Sequence, residues 1–161
     1  MKKILVISDS HGHMKNVKKV LKKEAPFDLL LHLGDLQGDE EGITKLISCP
    51  LIAVSGNCDY FSPFPSEKLI RLGTHKILLV HGNRHFVSLG TDFLRDAALE
   101  NGCDTVIFGH THMPLVDLTD PDVMILNPGS ITYPRQPGRE PSYMAISILE
   151  DGRLRPEVFF L

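Results

Sequence analysis

The sequence predicts an α/β protein built on two packed β-sheets with helices on the outside. Two observations carry that expectation. Through the first hundred residues, short apolar runs alternate with helix-patterned segments, the rhythm of a parallel sheet assembled from strand-and-crossover units. In the last third the helical pattern stops, and short strands follow one another between turn pairs, which reads as antiparallel pairing and a second sheet packed on the first.

Ile4 to Ile7 is a buried strand, and Met14 to Glu24 a helix with Val17, Val20 and Leu21 inward and five lysines outward. Those lysines read as a solvated face; they supply no argument for or against self-association, so a homo-oligomer stays open. Pro26 closes the helix, Leu29 to Leu33 is the second strand, and Asp39, Glu40 and Glu41 suit the positive start of a helix reaching about Ser48. Leu51 to Val54 is a third strand, followed by the irregular, proline-rich Phe61-Ser62-Pro63-Phe64-Pro65.

Lys68 to Leu72 and Lys76 to Val80 read as a hairpin, Thr91 to Glu100 as a helix with Gly102 past its end, and Val106 to Phe108 as a strand. Leu115 to Leu118, Val123 to Leu126, Tyr143 to Leu149 and Arg153 to Phe160 are the four short strands of the last third.

With 161 residues, 42% of them hydrophobic, the chain suits one domain, residues 1–161, burying roughly 70% of its unfolded surface. A net charge of −3 argues against a protein held on nucleic acid by bulk charge, so no stable nucleic-acid partner is expected. The apolar run after Lys2-Lys3 ends at Ser8-Asp9, too soon for an export signal or a membrane segment. Cys49, Cys58 and Cys103 form neither a paired framework nor a CxxC signature, which fits a reducing compartment, and a cytoplasmic location is expected.

The chemistry sits where the apolar runs end. Asp9 and His11, Asp35, Asn57, His81, and the pair His110 and His112 in Gly109-His110-Thr111-His112 are seven ligand-type residues at five strand ends. Any one has an ordinary explanation as a cap or turn residue. All seven together point to a metal site, with oxygen and imidazole donors suited to manganese, iron, nickel or zinc. Extended, His110 and His112 would point to one side; in a turn they can diverge towards two ions.

The ordered series Asp9-Ser10-His11, Gly34-Asp35, Gly56-Asn57-Cys58-Asp59, His81-Gly82 and Gly109-His110-Thr111-His112 resembles the calcineurin-like metallophosphoesterases, in particular the small YfcE-type phosphodiesterases. Asn127-Pro128-Gly129-Ser130 also resembles that subgroup. The resemblance implies a four-layer α-β-β-α sandwich. It implies two divalent ions, most simply Mn²⁺, with Asp9, His11 and His112 on one, Asn57, His81 and His110 on the other, and Asp35 between them. It makes Asp35, Asn57 and His110 catalytic, and implies hydrolysis by in-line attack of a metal-held hydroxide on a small phosphodiester or nucleotide ester.

One position departs from many members of the family. Cys58 stands where they carry a histidine able to protonate the leaving oxygen, and a thiol near pKa 8.5 is a poor acid for that step. Diesters with an acidic leaving group are therefore expected, Cys58 is read as structural, and His13 and His85 are alternative proton donors. Arg84 and Arg135, in loops after motifs, are candidates to hold the substrate phosphate, with His85 beside them. His32 is expected to be a strand histidine with an internal partner and His75 a turn residue. The rival reading is a metal-poor scaffold protein of the Vps29 kind on the same fold.

Overall fold

The computed structural model describes residues 1–161. The chain runs β1 (Lys2–Ile7), α1 (Met14–Glu24), β2 (Leu29–His32), α2 (Glu40–Thr44), β3 (Leu51–Ala53), β4 (Glu67–Leu72), β5 (His75–Val80), a 3₁₀ turn at Asn83–His85, α3 (Asp92–Glu100), β6 (Thr105–Ile107), β7 (Pro114–Asp117), β8 (Met124–Pro128), β9 (Ser142–Ile148) and β10 (Leu154–Phe160). One sheet has the order β10-β9-β1-β2-β3 and the other β4-β5-β6-β8-β7.

Strand alternation divides the apolar residues among three clusters and so fixes the layers. Ile4, Val6, Leu31, Ile77, Leu79, Ile107, Leu126, Met144 and Ile146 meet between the sheets. Leu5, Ile7, Leu30 and Tyr143, one residue out of step, face away and pack on Val17, Val20 and Leu21 of α1 and Ile43 of α2. Leu78, Val80, Val106 and Ile125 cover the other outer face against Leu94 and Ala98 of α3. The result is the α-β-β-α sandwich.

The last four strands do not form the second sheet by themselves. β7 and β8 join β5 and β6, whereas β9 and β10 return to the first sheet, where β9 runs antiparallel to β1, with Val6 beside Met144. β8 lies parallel to β6, and only β7 opposes it. The turn pairs mark hairpins β7–β8 and β9–β10, but hairpin signals fix only which strands are sequential neighbours; the outer partner of each hairpin is set by which apolar face must be covered. α2 also stops at Thr44, short of Ser48, and Leu46 already bonds back to Ile43 in a tighter turn. Gly42 leaves this helix little side chain to bury, and Ile43 is its one buried residue.

β1, β2 and β3 are mutually parallel in one sheet, and β5, β6 and β8 in the other. The loops leaving their C-terminal ends carry the polar residues of interest. No helix is long and apolar enough to cross a membrane.

Candidate metal centre

The seven ligand-type side chains come together. Asp9 and His11 follow β1, Asp35 follows β2, Asn57 follows β3, His81 follows β5, and His110 and His112 follow β6. On one side, His112 Nε2 lies 3.1 Å from Asp9 Oδ1 and 3.3 Å from His11 Nε2. On the other, His81 Nε2 lies 3.1 Å from Asn57 Oδ1 and 3.2 Å from His110 Nδ1. Asp35 Oδ2 sits between the groups, 3.6 Å from His11 Nε2 and 3.4 Å from His81 Nε2. His110 and His112 thus diverge, as a turn allows.

The backbone is bent to achieve this. Asp9, His11, Asp35, His110 and His112 all have φ between 49° and 66°, the left-handed region that side-chain-bearing residues seldom occupy. Such conformations cost of order 1–3 kcal/mol each and persist only where the surroundings over-determine them. Here they are fixed by hydrogen bonds between loops: Asp9 N–H donates to Gly34 O at 3.1 Å and Gly109 N–H to His81 O at 3.0 Å. Glycine is required where these loops meet. A Cβ on Gly34, whose φ is 101°, would stand 2.6 Å from His81 Nδ1 and 2.8 Å from Gly56 N.

The tautomers are set from behind. His81 Nδ1–H donates to Leu33 O and His112 Nδ1–H to Tyr133 O, both at 2.7 Å, which leaves each Nε2 lone pair turned into the cluster. The carboxylates are held as anions. Burial raises the pKa of Asp9, but the adjoining His112 and His81 imidazoles and the Ser8 hydroxyl outweigh it and bring it below the ordinary value. Burial likewise opposes ionisation of Asp35, yet His81 and the Cys58 N–H, 2.8 Å from its Oδ1, hold it well below the usual range. His81 moves up, its burial overcome by Asp35 and Asp9, while His110 moves down through burial and the charge of His81.

This donor set fits a divalent cation. Asp9 Oδ1 is buried without a hydrogen-bond partner, an anionic oxygen out of water that protein donors do not satisfy. Donors each about 2.1 Å from one ion stand roughly 3 Å apart, the spacing found here. Asp9, His11 and His112 make one group able to hold an ion, and Asp9, Asp35 and His81 another.

Several supporting residues carry no signal of their own in the sequence. Asp59 accepts from Asp35 N, Gly56 N and Gln37 N at 2.7 to 2.8 Å and so ties the Asp35 loop to the Asn57 turn. Asn127 Nδ2 donates to Gly109 O at 2.9 Å, and Ser130 Oγ donates to Asp9 O at 3.0 Å, so the end of β8 braces both ligand loops. Tyr133 acts through its carbonyl, a group that every residue has. Asp59 closes the motif-like run Gly56 to Asp59, and Asn127 and Ser130 bound another, but neither run shows what these side chains brace.

The remaining expected residues lie around this centre. Cys58 is partly exposed at its edge, with Sγ within 4.8 Å of His11 and Asp35 donor atoms, and burial together with the Asp35 charge pushes its thiol up to about 11. His13 Nε2 is 2.6 Å from the Tyr133 hydroxyl, and the Tyr133 ring packs edge-on against His11. His85 faces Glu67 at 3.5 Å, exposed Arg84 bonds to Ser66 Oγ, and Arg135 is exposed, its N–H donating to His112 O. His32 is buried between the loops: its Nδ1 accepts from Gly34 N–H, so its Nε2–H donates to Ser10 Oγ at 3.1 Å. His75 opens β5 and pairs with Asp104 at 3.1 Å.

A two-sheet sandwich with these donors on its parallel strand ends is the architecture of a metal-dependent phosphoesterase. The calcineurin-like phosphoesterase superfamily domain matches residues 1–151, and the chain belongs to that superfamily. It is 35% identical over 149 residues to the probable metallophosphoesterase YsnB of Bacillus subtilis, an overlap of 92% of this chain and 85% of that one. Among solved structures, a conserved predicted phosphoesterase from Streptococcus pneumoniae superposes with a TM-score of 0.83 at 27% identity, covering 99% of this chain and 89% of the other. Vps29 from Entamoeba histolytica, in complex with zinc, superposes with a TM-score of 0.78 at 25% identity, covering 98% of each.

Proposed function

We propose that this protein is a dinuclear metal-dependent phosphodiesterase. It takes a small phosphodiester and water to a monoester and an alcohol. The observation that carries the reading is the position of Asp35, whose Oδ2 lies within 3.6 Å of donors in both ligand groups. Two cations close together need an anion between them; Asp9 is also ionised, but its Oδ1 lies 3.1 Å from His112 Nε2 and 4.0 Å from His81 Nε2, which assigns it to the first group and leaves Asp35 as the better placed bridge.

In this reading Asp9, His11 and His112 hold one ion and Asn57, His81 and His110 the other, with Asp35 shared. Bound there, divalent ions, most simply Mn²⁺, with iron, nickel or zinc as alternatives, would supply an activated water and neutralise charge on the phosphoryl oxygens. The protein contributes position and charge. Asp9 and Asp35 set the cluster at −2 before ions bind, and two divalent ions would leave it near +2, favourable for an anionic ester. Cys58, its thiol up near 11, stays neutral and is unsuited to protonate a leaving alkoxide. This favours diesters with acidic leaving groups, and it leaves His13, held at the mouth by Tyr133, as our candidate proton donor for poorer ones.

Chelation should abolish hydrolysis of bis(p-nitrophenyl) phosphate, and added manganese should restore it. Asp35→Asn should lose metal and activity together, by about 10³-fold in kcat/KM. Full activity in metal-free protein would overturn the metal-dependent reading, and two ions retained in Asp35→Asn would overturn the shared ligand. A scaffold role of the Vps29 kind is less well supported, because all seven ligand-type side chains are present and assembled.

A further inference from the structure

The turn that carries Asn57, Cys58 and Asp59 continues directly into Tyr60 and Phe61, two aromatic residues left in solvent beside the metal centre. Tyr60 is 83% exposed and Phe61 fully exposed, although burying either ring would be favourable. Phe61 also has a φ of 61°, a conformation that a bulky side chain adopts only at a cost. An apolar ring held outward by a strained backbone, immediately after a ligand turn, is poorly explained by stability.

The two rings line a cleft of about 290 Å³ together with Cys58, Gln37 and Glu40. Cys58 joins this cleft to the metal centre, since its Sγ lies within 4.8 Å of His11 and Asp35 donor atoms. A phosphate ester seated at the centre would therefore have one of its two substituents beside this cleft. The walls offer aromatic faces for stacking and a small polar complement. Gln37 turns its carbonyl oxygen to His11 Nδ1, 3.3 Å away, which leaves its NH₂ group as a donor. Glu40 makes no ion pair and presents a free carboxylate acceptor that also repels a second phosphate. Flat, uncharged and edged with both donors and acceptors describes a nucleobase better than a sugar, an acyl chain or a polyphosphate.

We propose that the Tyr60–Phe61 cleft binds the base of a nucleoside esterified to the reacting phosphate, with Phe61 as the stacking platform. This rests on the phosphodiesterase reading above for its biological use, but base binding is measurable without turnover. The manganese-loaded protein is titrated calorimetrically with adenosine 5′-monophosphate and with ribose 5-phosphate, which differ only in the base. The wild type should bind the nucleotide about tenfold more tightly, in line with the effect of one base–aromatic stack. Phe61→Ala should erase that preference while leaving ribose 5-phosphate affinity and metal content unchanged, and Phe61→Trp should keep it. The exposed ring makes no core contact, so an unchanged melting temperature confirms that the variant is folded. Equal affinity for the two ligands in the wild type, or an intact preference in Phe61→Ala, would overturn the assignment. Base-dependent binding in a protein that hydrolyses no diester would uphold the cleft and overturn the phosphodiesterase reading instead.

Discussion

The two sheets contribute unlike halves to the centre. The β1, β2 and β3 loops bring every oxygen donor, Asp9, Asp35 and Asn57, with one imidazole, His11; the β5 and β6 loops bring His81, His110 and His112 and no oxygen donor. Carboxylate charge therefore sits on one sheet, and the other supplies imidazole nitrogens alone. The halves are also cross-braced, since His81 of the second sheet is oriented by Leu33 O of the first, and Asp9 of the first accepts from the His110 N–H of the second at 3.2 Å. Building the site across the seam lets the inter-sheet core of Ile4, Val6, Ile77 and Leu79 fix its geometry.

The largest effect is expected within the second sheet, at the two histidines of one turn. His112 is buried, locked by Tyr133 O and directed to Asp9, whereas His110 is half-exposed and directed to His81. His112→Ala should vacate the position beside Asp9 and His11, and His110→Ala the one beside Asn57 and His81. Elemental analysis should show about one ion per chain in each variant rather than two, and kcat/KM should fall more than the 10–100-fold typical of changes behind the ligands. Identical spectra of the remaining ion in both variants, for instance with cobalt substituted, would mean that the two histidines share a position.

Much of this was readable in the sequence, and the unreadable part has a physical cause. Side chains that must be a particular chemical type leave a mark: Asp9, His81 and His112 stand out because carboxylates and imidazoles at strand ends are rarely needed for folding. The layers were readable for a similar reason, since Leu5 and Ile7 must face opposite to Ile4 and Val6. The sheet to which β9 belongs was not readable, because a strand with both faces apolar can be inserted in either sheet. Nor was the part played by Tyr133, whose carbonyl orients His112, or by Asp59, whose three N–H donors come from residues 35, 37 and 56.

A smaller effect separates the ligand-type histidines of the second sheet from His32 of the first. Burial pushes the His32 imidazole down to about 3, and its two hydrogen bonds hold the neutral tautomer. Below its ordinary value near 6.5, the unfolded chain accepts a proton that the folded chain refuses until about pH 3. Stability should therefore fall by about 1.4 kcal/mol per pH unit as the pH drops through that window. His110 adds in the same direction, His81 opposes it, and the lowered carboxylates Asp9 and Asp35 enter only below about pH 4. Urea midpoints of the metal-free protein between pH 6.5 and 4.5 should thus decline, and His32→Gln should flatten the decline. An unchanged slope would show that His32 is charged in the folded protein.

The smallest effect is expected at the mouth, where Tyr133 serves both halves by different atoms. Its carbonyl orients His112, and its hydroxyl, 2.6 Å from His13 Nε2, holds a residue of the first sheet's loop. Tyr133→Phe removes only the second contact, so metal content should not change. If His13 protonates the leaving oxygen, kcat should fall a few-fold for a diester losing an alkoxide, which needs that proton, and stay level for one losing p-nitrophenolate, which does not. An equal fall for both would place the Tyr133 hydroxyl in substrate binding, and His13 would then have no claim on the proton.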